Sequence, residues 1–104
     1  MGTPFTHTTW QVKPGWEDEF VERWREWIQW SHRQGLRAHA RLLRDVENPS
    51  TFISFGPWET VGAVRTWRGE PGYHDRVARL QELVEHFEPR TLEEVAQSLS
   101  LIHI

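Results

Sequence analysis

The first third of the chain carries a strand pattern followed by a long helical pattern. Residues 5–12 are rich in β-forming side chains and end at the turn sequence Lys-Pro-Gly, which predicts a strand. From Trp16 to about Gln34, apolar side chains recur every three or four residues, as on one face of a helix. Acidic residues crowd the first turn of this stretch and Gly35 follows its end, as is typical of helix boundaries. We therefore predict one long helix that covers a sheet.

The next segment predicts a β-hairpin. Apolar and polar residues alternate over residues 36–42, and a second β-rich run follows at residues 51–55. The turn sequence Glu-Asn-Pro-Ser lies between them. In the second run Phe52 points to one face while Ile53 and Phe55 point to the other. Neither face of this sheet is therefore suited to water.

A helical region broken in two follows the hairpin. Residues 60–68 have apolar side chains at helical spacing, and the sequence Gly-Glu-Pro-Gly at 69–72 interrupts the pattern. A second apolar stripe runs from Tyr73 to Phe87 and predicts a longer helix that Pro89 ends. Residues 90–97 predict a last strand.

The order of these elements is β-α-β-β-α-β, with the second α unit broken. This order is typical of the α+β ferredoxin-like split βαβ fold, a sheet with helices on one face. The other face then needs a cover, which a second copy of the same sheet would supply, so we predict a homodimer. We expect one domain over residues 1–104, with a core at about 5–97 and a C-terminal tail at 98–104 of unassigned conformation.

Composition narrows the classes of function. The chain has 104 residues, 12 basic against 15 acidic, a net charge of −3, and its charges are interleaved, which argues against nucleic acid as a partner. We expect no membrane span and no signal peptide, and hence a cytoplasmic protein. The absence of cysteine excludes disulfides, thiolate metal sites and cysteine nucleophiles. Seven tryptophans are too much aromatic surface for so small an interior and indicate a cavity, a partner subunit or both.

Two aromatic residues flank the glycine-rich break and are the strongest site candidates. Trp67 and Tyr73 are six residues apart, so their N–H and O–H groups could converge on one pocket and orient an aromatic ligand. The alternative is that both residues only pack in the core. Packing is also the favoured interpretation of the tryptophans on the first helix, Trp27 among them.

The histidines predict no metal site, because none of the six stands at a spacing typical of metal ligands. His7, on the first strand, is the histidine that we expect to face the core. There it could exchange protons near neutral pH and act as a catalytic base.

Four segments resemble the antibiotic biosynthesis monooxygenase family. They are Val-Lys-Pro-Gly-Trp-Glu-Asp-Glu-Phe at 12–20, Ala-Arg-Leu-Leu-Arg-Asp at 40–45, Phe-Ile-Ser-Phe-Gly-Pro-Trp-Glu at 52–59 and the stretch 67–73. The resemblance covers roughly residues 6 to 97. It implies a dimeric α/β barrel of ferredoxin-like subunits. Studied members oxidise anthrone-type aromatic polyketides with O₂ and without flavin, haem or metal, while others of similar fold degrade haem.

The resemblance also suggests site residues. In the cofactor-free oxygenases a Trp and a Tyr six residues later contact the substrate, as Trp67 and Tyr73 would here. An Asn one turn before the Trp is replaced by Ala63, and an active-site Arg near the last strand corresponds imperfectly to Arg90. Trp27 and Phe52 complete the predicted substrate-binding set.

The resemblance leaves three functions open. The first is a cofactor-independent monooxygenase acting on a small aromatic, anthrone-like substrate, with O₂ as co-substrate. The second is a haem-binding or haem-degrading relative. In that branch the functional Asn, Trp and His would fall on Thr8, Trp67 and Val77, with His74 three residues away. The third is a dimeric module that binds an aromatic metabolite without catalysis.

Overall fold

The computed structural model describes residues 2–37 and 39–99, which form a four-stranded antiparallel sheet and three helices. The strands are β1 (Pro4–Val12), β2 (Arg41–Arg44), β3 (Thr51–Pro57) and β4 (Val84–Glu93). The helices are α1 (Glu17–His32), α2 (Val61–Gly69) and α3 (Pro71–Gln81). The strand order is β2-β3-β1-β4, so β1 lies in the centre and β4 at an edge. This is the predicted ferredoxin-like α+β fold.

Helix α1 forms as the apolar spacing predicts. Its buried residues lie on one face, and Glu17, Asp18 and Glu19 occupy the first turn, where carboxylates meet the positive end of the helix dipole. The pKa of Glu17 is lowered, chiefly by a hydrogen bond that its carboxylate accepts from Ser50. Gly35, beyond the helix, has φ of 116°, a conformation that favours glycine. Both ends of the predicted helix are confirmed within two residues.

The second strand begins later than predicted. Leu36 makes only an isolated bridge to Trp58, and the paired strand starts at Arg41. Between them His39 has φ of 74°, which interrupts an extended strand. The chain here passes close over Gly56, where an added Cβ would lie 2.8 Å from Leu36 Cδ1. The predicted strand over 36–42 is therefore wrong for the described residues before Arg41, where Leu36 makes only its single bridge.

The boundary between the last helix and the last strand is also different from the prediction. Helix α3 ends at Gln81, and residues predicted to continue it, including Val84 and Phe87, belong to β4. The last strand therefore lies at Val84–Glu93 and begins six residues before the predicted strand at 90–97. Pro89 does not end a helix but lies within β4, opposite Thr8. A strand at a sheet edge tolerates proline because one side of its backbone needs no partner.

The sheet has one covered face and one open face. Side chains at even positions of β1 are buried beneath the helices, and Trp10 and Val12 are among them. The odd positions, with Ile53 and Phe55 of β3, lie on the opposite face. Leu43, Ile53 and Leu92 are 51%, 37% and 44% exposed there. The helices therefore leave an apolar sheet face uncovered, as the sequence predicted. Within the described residues, no helix is long and apolar enough to cross a bilayer.

Candidate functional site

Aromatic rings from different elements pack against one another on the covered face of the sheet. The ring centroids of Trp67 lie 5.4 Å from Trp27, 4.8 Å from Trp58 and 4.7 Å from Tyr73. Trp27 and Tyr73 are 6.3 Å apart. Three of the predicted site residues, Trp67, Tyr73 and Trp27, therefore form one cluster, which we call the aromatic cluster.

A sharp break between two helices brings Trp67 and Tyr73 together. Helix α2 ends at Gly69, and the extended Glu70 both follows it and precedes α3. Pro71 then occupies the first position of α3, where its missing N–H costs nothing. Gly72 permits close approach to α1, because a Cβ there would lie 2.8 Å from the Trp30 ring. The break turns Tyr73 back against Trp67, so that the planes of the two rings meet at 72°.

The indole N–H of Trp67 is used inside the core. It donates to Ser31 Oγ at 3.0 Å, and Ser31 Oγ donates to the carbonyl oxygen of Trp27 at 2.8 Å. Trp67 is only 3% exposed and Ser31 is fully buried. The ring of Trp67 thus belongs to the cluster, but its N–H is engaged by protein rather than free for a ligand.

A small cavity lies between α1 and the covered face of the sheet. Trp24, Trp27 and Trp67 line it together with Thr8 and other sheet residues. It has room for about one water molecule. The indole N–H groups of Trp24 and Trp27 are buried without a hydrogen-bond partner among the described residues. An aromatic ligand would therefore enter only if side chains of the cluster separate.

Tyr73 is the member of the cluster that borders the surface. It is half-buried, whereas Trp27 and Trp67 are buried. Burial raises the pKa of its phenol above the ordinary value of 10.0, and the guanidinium of Arg68 acts in the opposite direction. Its hydroxyl is thus protonated near neutral pH and able to donate a hydrogen bond.

Arg68 is a residue that sequence reasoning missed. It follows Trp67 directly, and its guanidinium lies over the Trp67 ring at 5.9 Å from the centroid. Its terminal nitrogens donate to Thr91 Oγ1 and to the carbonyl oxygen of Arg90. Arg90 therefore contacts Arg68 through its main-chain carbonyl oxygen rather than through its side chain.

The other predicted site residues lie apart from the aromatic cluster. Phe52 is on the covered face but packs against Phe20, 5.2 Å away. His7 and Arg90 are paired across β1 and β4 on the open face. The expectation that His7 faces the core is wrong, because β1 alternates and the even positions are the buried ones.

The positions suggested by the haem branch offer no iron ligand at the cluster. Val77 is 6% exposed and packs in the core. His74 is exposed, with its ring edge-on to Tyr73 at 5.6 Å. Within residues 2–37 and 39–99, no group of three or more His, Cys, Asp or Glu side chains is arranged to hold a metal ion.

Comparison with known proteins identifies the family. The family model described as antibiotic biosynthesis monooxygenase matches residues 5–79. No curated protein matches the chain.

Similar solved structures share the fold at low identity. SnoaB, a cofactor-independent oxygenase from Streptomyces nogalater, is 19% identical with a TM-score of 0.83, covering 95% of this chain and 98% of its own. Its N63A mutant gives a TM-score of 0.84 at 16% identity, covering 93% and 97%. A putative antibiotic biosynthesis monooxygenase from Bordetella bronchiseptica is 19% identical with a TM-score of 0.81, covering 92% and 100%. With the family model matching most of its length, the chain belongs to the antibiotic biosynthesis monooxygenase family.

Proposed function

We propose that this protein is a cofactor-independent monooxygenase that oxidises a small aromatic, anthrone-like substrate with O₂. The observation that carries the proposal is the contact of Tyr73 with Trp67, which the break between α2 and α3 creates. Of these two residues, Trp67 lines the small cavity. Family membership and the likeness to SnoaB, which is described as a cofactor-independent oxygenase, support the same reaction class.

The proposed chemistry uses the substrate as its own reductant. Loss of a proton from the anthrone carbon to water gives an enolate, which passes one electron to O₂. The resulting radical and superoxide combine into a peroxide anion. This anion takes up a proton from water to become a hydroperoxide, and loss of water then gives the quinone. One oxygen atom enters the product and the other leaves as water, while the substrate loses two hydrogens. A site of low polarity with a few aimed donors favours the enolate in this sequence.

The aromatic cluster has distinct proposed roles in this reaction. The rings of Trp67 and Trp27 would pack against the flat substrate, as aromatic side chains commonly do. Tyr73, which borders the surface, would donate a hydrogen bond to a substrate oxygen. His7 and Arg90 are not used in this scheme, because they lie on the opposite face of the sheet.

We also propose that two copies pair through the open face of the sheet. This face exposes Leu43, Ile53 and Leu92 beside Phe5 and Phe55. Contiguous apolar surface of this kind is typical of interaction sites. Pairing the two sheets would bury it and leave the aromatic cluster of each subunit on the outer, helical side.

The test is oxidation of the anthrone dithranol by metal-free protein under heavy-isotope dioxygen. We expect quinone formation well above the spontaneous rate, with one labelled oxygen in each quinone and labelled water as the second product. Protein denatured by heat is the control for spontaneous oxidation. A rate no faster than that control for dithranol and related anthrones would overturn the proposed function.

A further inference from the structure

Arg68 is held in a fixed position at the end of the aromatic cluster. Its guanidinium spans from α2 to β4, where Thr91 Oγ1 and the carbonyl oxygen of Arg90 accept its hydrogen bonds. The residue is half-buried, and its Nε is buried without a partner among the described residues. A guanidinium anchored on two sides loses little freedom when it binds a further group.

The charge of Arg68 is not balanced by the part of the chain that the structure describes. The ion pairs there join Arg23, Arg25 and Arg90 to glutamates, and none includes Arg68. Both acceptors of its hydrogen bonds are neutral oxygens. Because a partly buried cation is costly unless an anion pairs with it, this arrangement suits an anionic ligand.

The aromatic rings beside Arg68 indicate that the anion is part of an aromatic molecule. Its guanidinium lies over the Trp67 ring, and the Tyr73 ring packs against the same indole, with 4.7 Å between the ring centroids. We propose that Arg68 and Tyr73 together bind the oxygen of an ionised phenol or enol, whose ring packs against the aromatic cluster. The guanidinium compensates the negative charge and Tyr73 donates a hydrogen bond. This inference rests on the proposed function and specifies that the substrate is bound in its deprotonated form.

The test uses alizarin, a tricyclic phenol whose absorption spectrum changes when it ionises. Bound to the wild-type protein, the dye should ionise at a pH lower by roughly 1 unit or more than in free solution, as expected beside a cation. Arg68→Gln should abolish this shift, because the side chain keeps hydrogen-bonding groups but loses its charge. Arg68→Lys, which restores the charge without the planar fork, should recover part of it.

A matched control is available on the same helix. Arg65 lies one turn before Arg68 and is exposed, so Arg65→Gln removes the same charge without touching the cluster. It should leave the dye shift unchanged. Circular dichroism of each variant establishes that it is folded.

Each outcome decides the proposal. Failure of the wild type to bind the dye, an unshifted ionisation, or an equal loss in Arg65→Gln would overturn it. If the shift depends on Arg68 but dithranol is not oxidised, the proposed oxygenase function fails while the anion site stands. If dithranol is oxidised without an Arg68-dependent shift, the anion site fails alone.

Discussion

Replacing Trp67 with phenylalanine tests how much this residue contributes to the stability of the core. The substitution removes the indole N–H that donates to Ser31 and shrinks a ring that contacts Trp27, Trp58 and Tyr73. A net hydrogen bond is worth about 1 kcal/mol, and the lost ring contacts and the space left behind add roughly 1–2 kcal/mol. We therefore expect the free energy of unfolding to fall by roughly 2–3 kcal/mol in total.

The assay is urea unfolding at one protein concentration, with a thermal melt beside it. For a domain of this size, the expected loss lowers Tm by roughly 8–24 °C. Trp16→Phe is the matched control, because Trp16 is 52% exposed and the same chemical change there should stay within about 0.5 kcal/mol. A loss at Trp67 no larger than at Trp16 would refute the packing analysis.

A double-mutant cycle isolates the hydrogen bond. Ser31→Ala removes the acceptor of the Trp67 N–H, so the two substitutions share one interaction. Their effects should be non-additive, with a coupling of about 1 kcal/mol. Strictly additive losses would mean that this hydrogen bond does not contribute to stability.

Three further predictions concern assembly, haem and titration. Ile53→Lys on the open face should convert a dimer into a monomer of about 12.4 kDa by light scattering, and a wild type that is already monomeric contradicts the proposed pairing. Added haemin should give no stoichiometric Soret band, because Val77 stands where the haem branch has its ligand; a one-to-one complex with a histidine-ligated spectrum would contradict this. Tyr73 is the single tyrosine, so its ionisation can be followed by absorbance. Because Arg68 lowers the pKa of this phenol, Arg68→Gln should move the titration to higher pH, and an unchanged midpoint would contradict their proximity.

The parts of the fold that the sequence predicted well are those in which several local signals agree. Helix α1 has an apolar stripe, acidic residues in its first turn and a glycine beyond its end, and it was predicted within two residues. The start of β4 was missed because Leu80, Leu83, Val84 and Phe87 have a spacing that fits a helix as well as a turn followed by a strand. Pro89 added to this error because a proline commonly ends a helix. It is tolerated in β4 because β4 is an edge strand, and local sequence does not encode the strand order.

The candidate site was predictable only where its residues are close in sequence. Trp67 and Tyr73 flank one short break, so their contact follows from local structure. The position of Arg68 depends on Thr91, and no local pattern aligns α2 with β4. The face of His7 could have been inferred, because Trp10 and Val12 mark the even positions of β1 as the buried ones.

The most direct test of the central claim is the turnover of dithranol by Tyr73→Phe, measured beside its thermal melt. The variant loses only a hydroxyl, so Tm should change little. If Tyr73 donates to a substrate oxygen, kcat/KM should fall roughly 2- to 13-fold, which corresponds to about 0.5–1.5 kcal/mol for a neutral hydrogen bond, and further if the acceptor is an enolate. Unchanged kcat/KM in a folded variant would contradict the assignment of the site to the aromatic cluster.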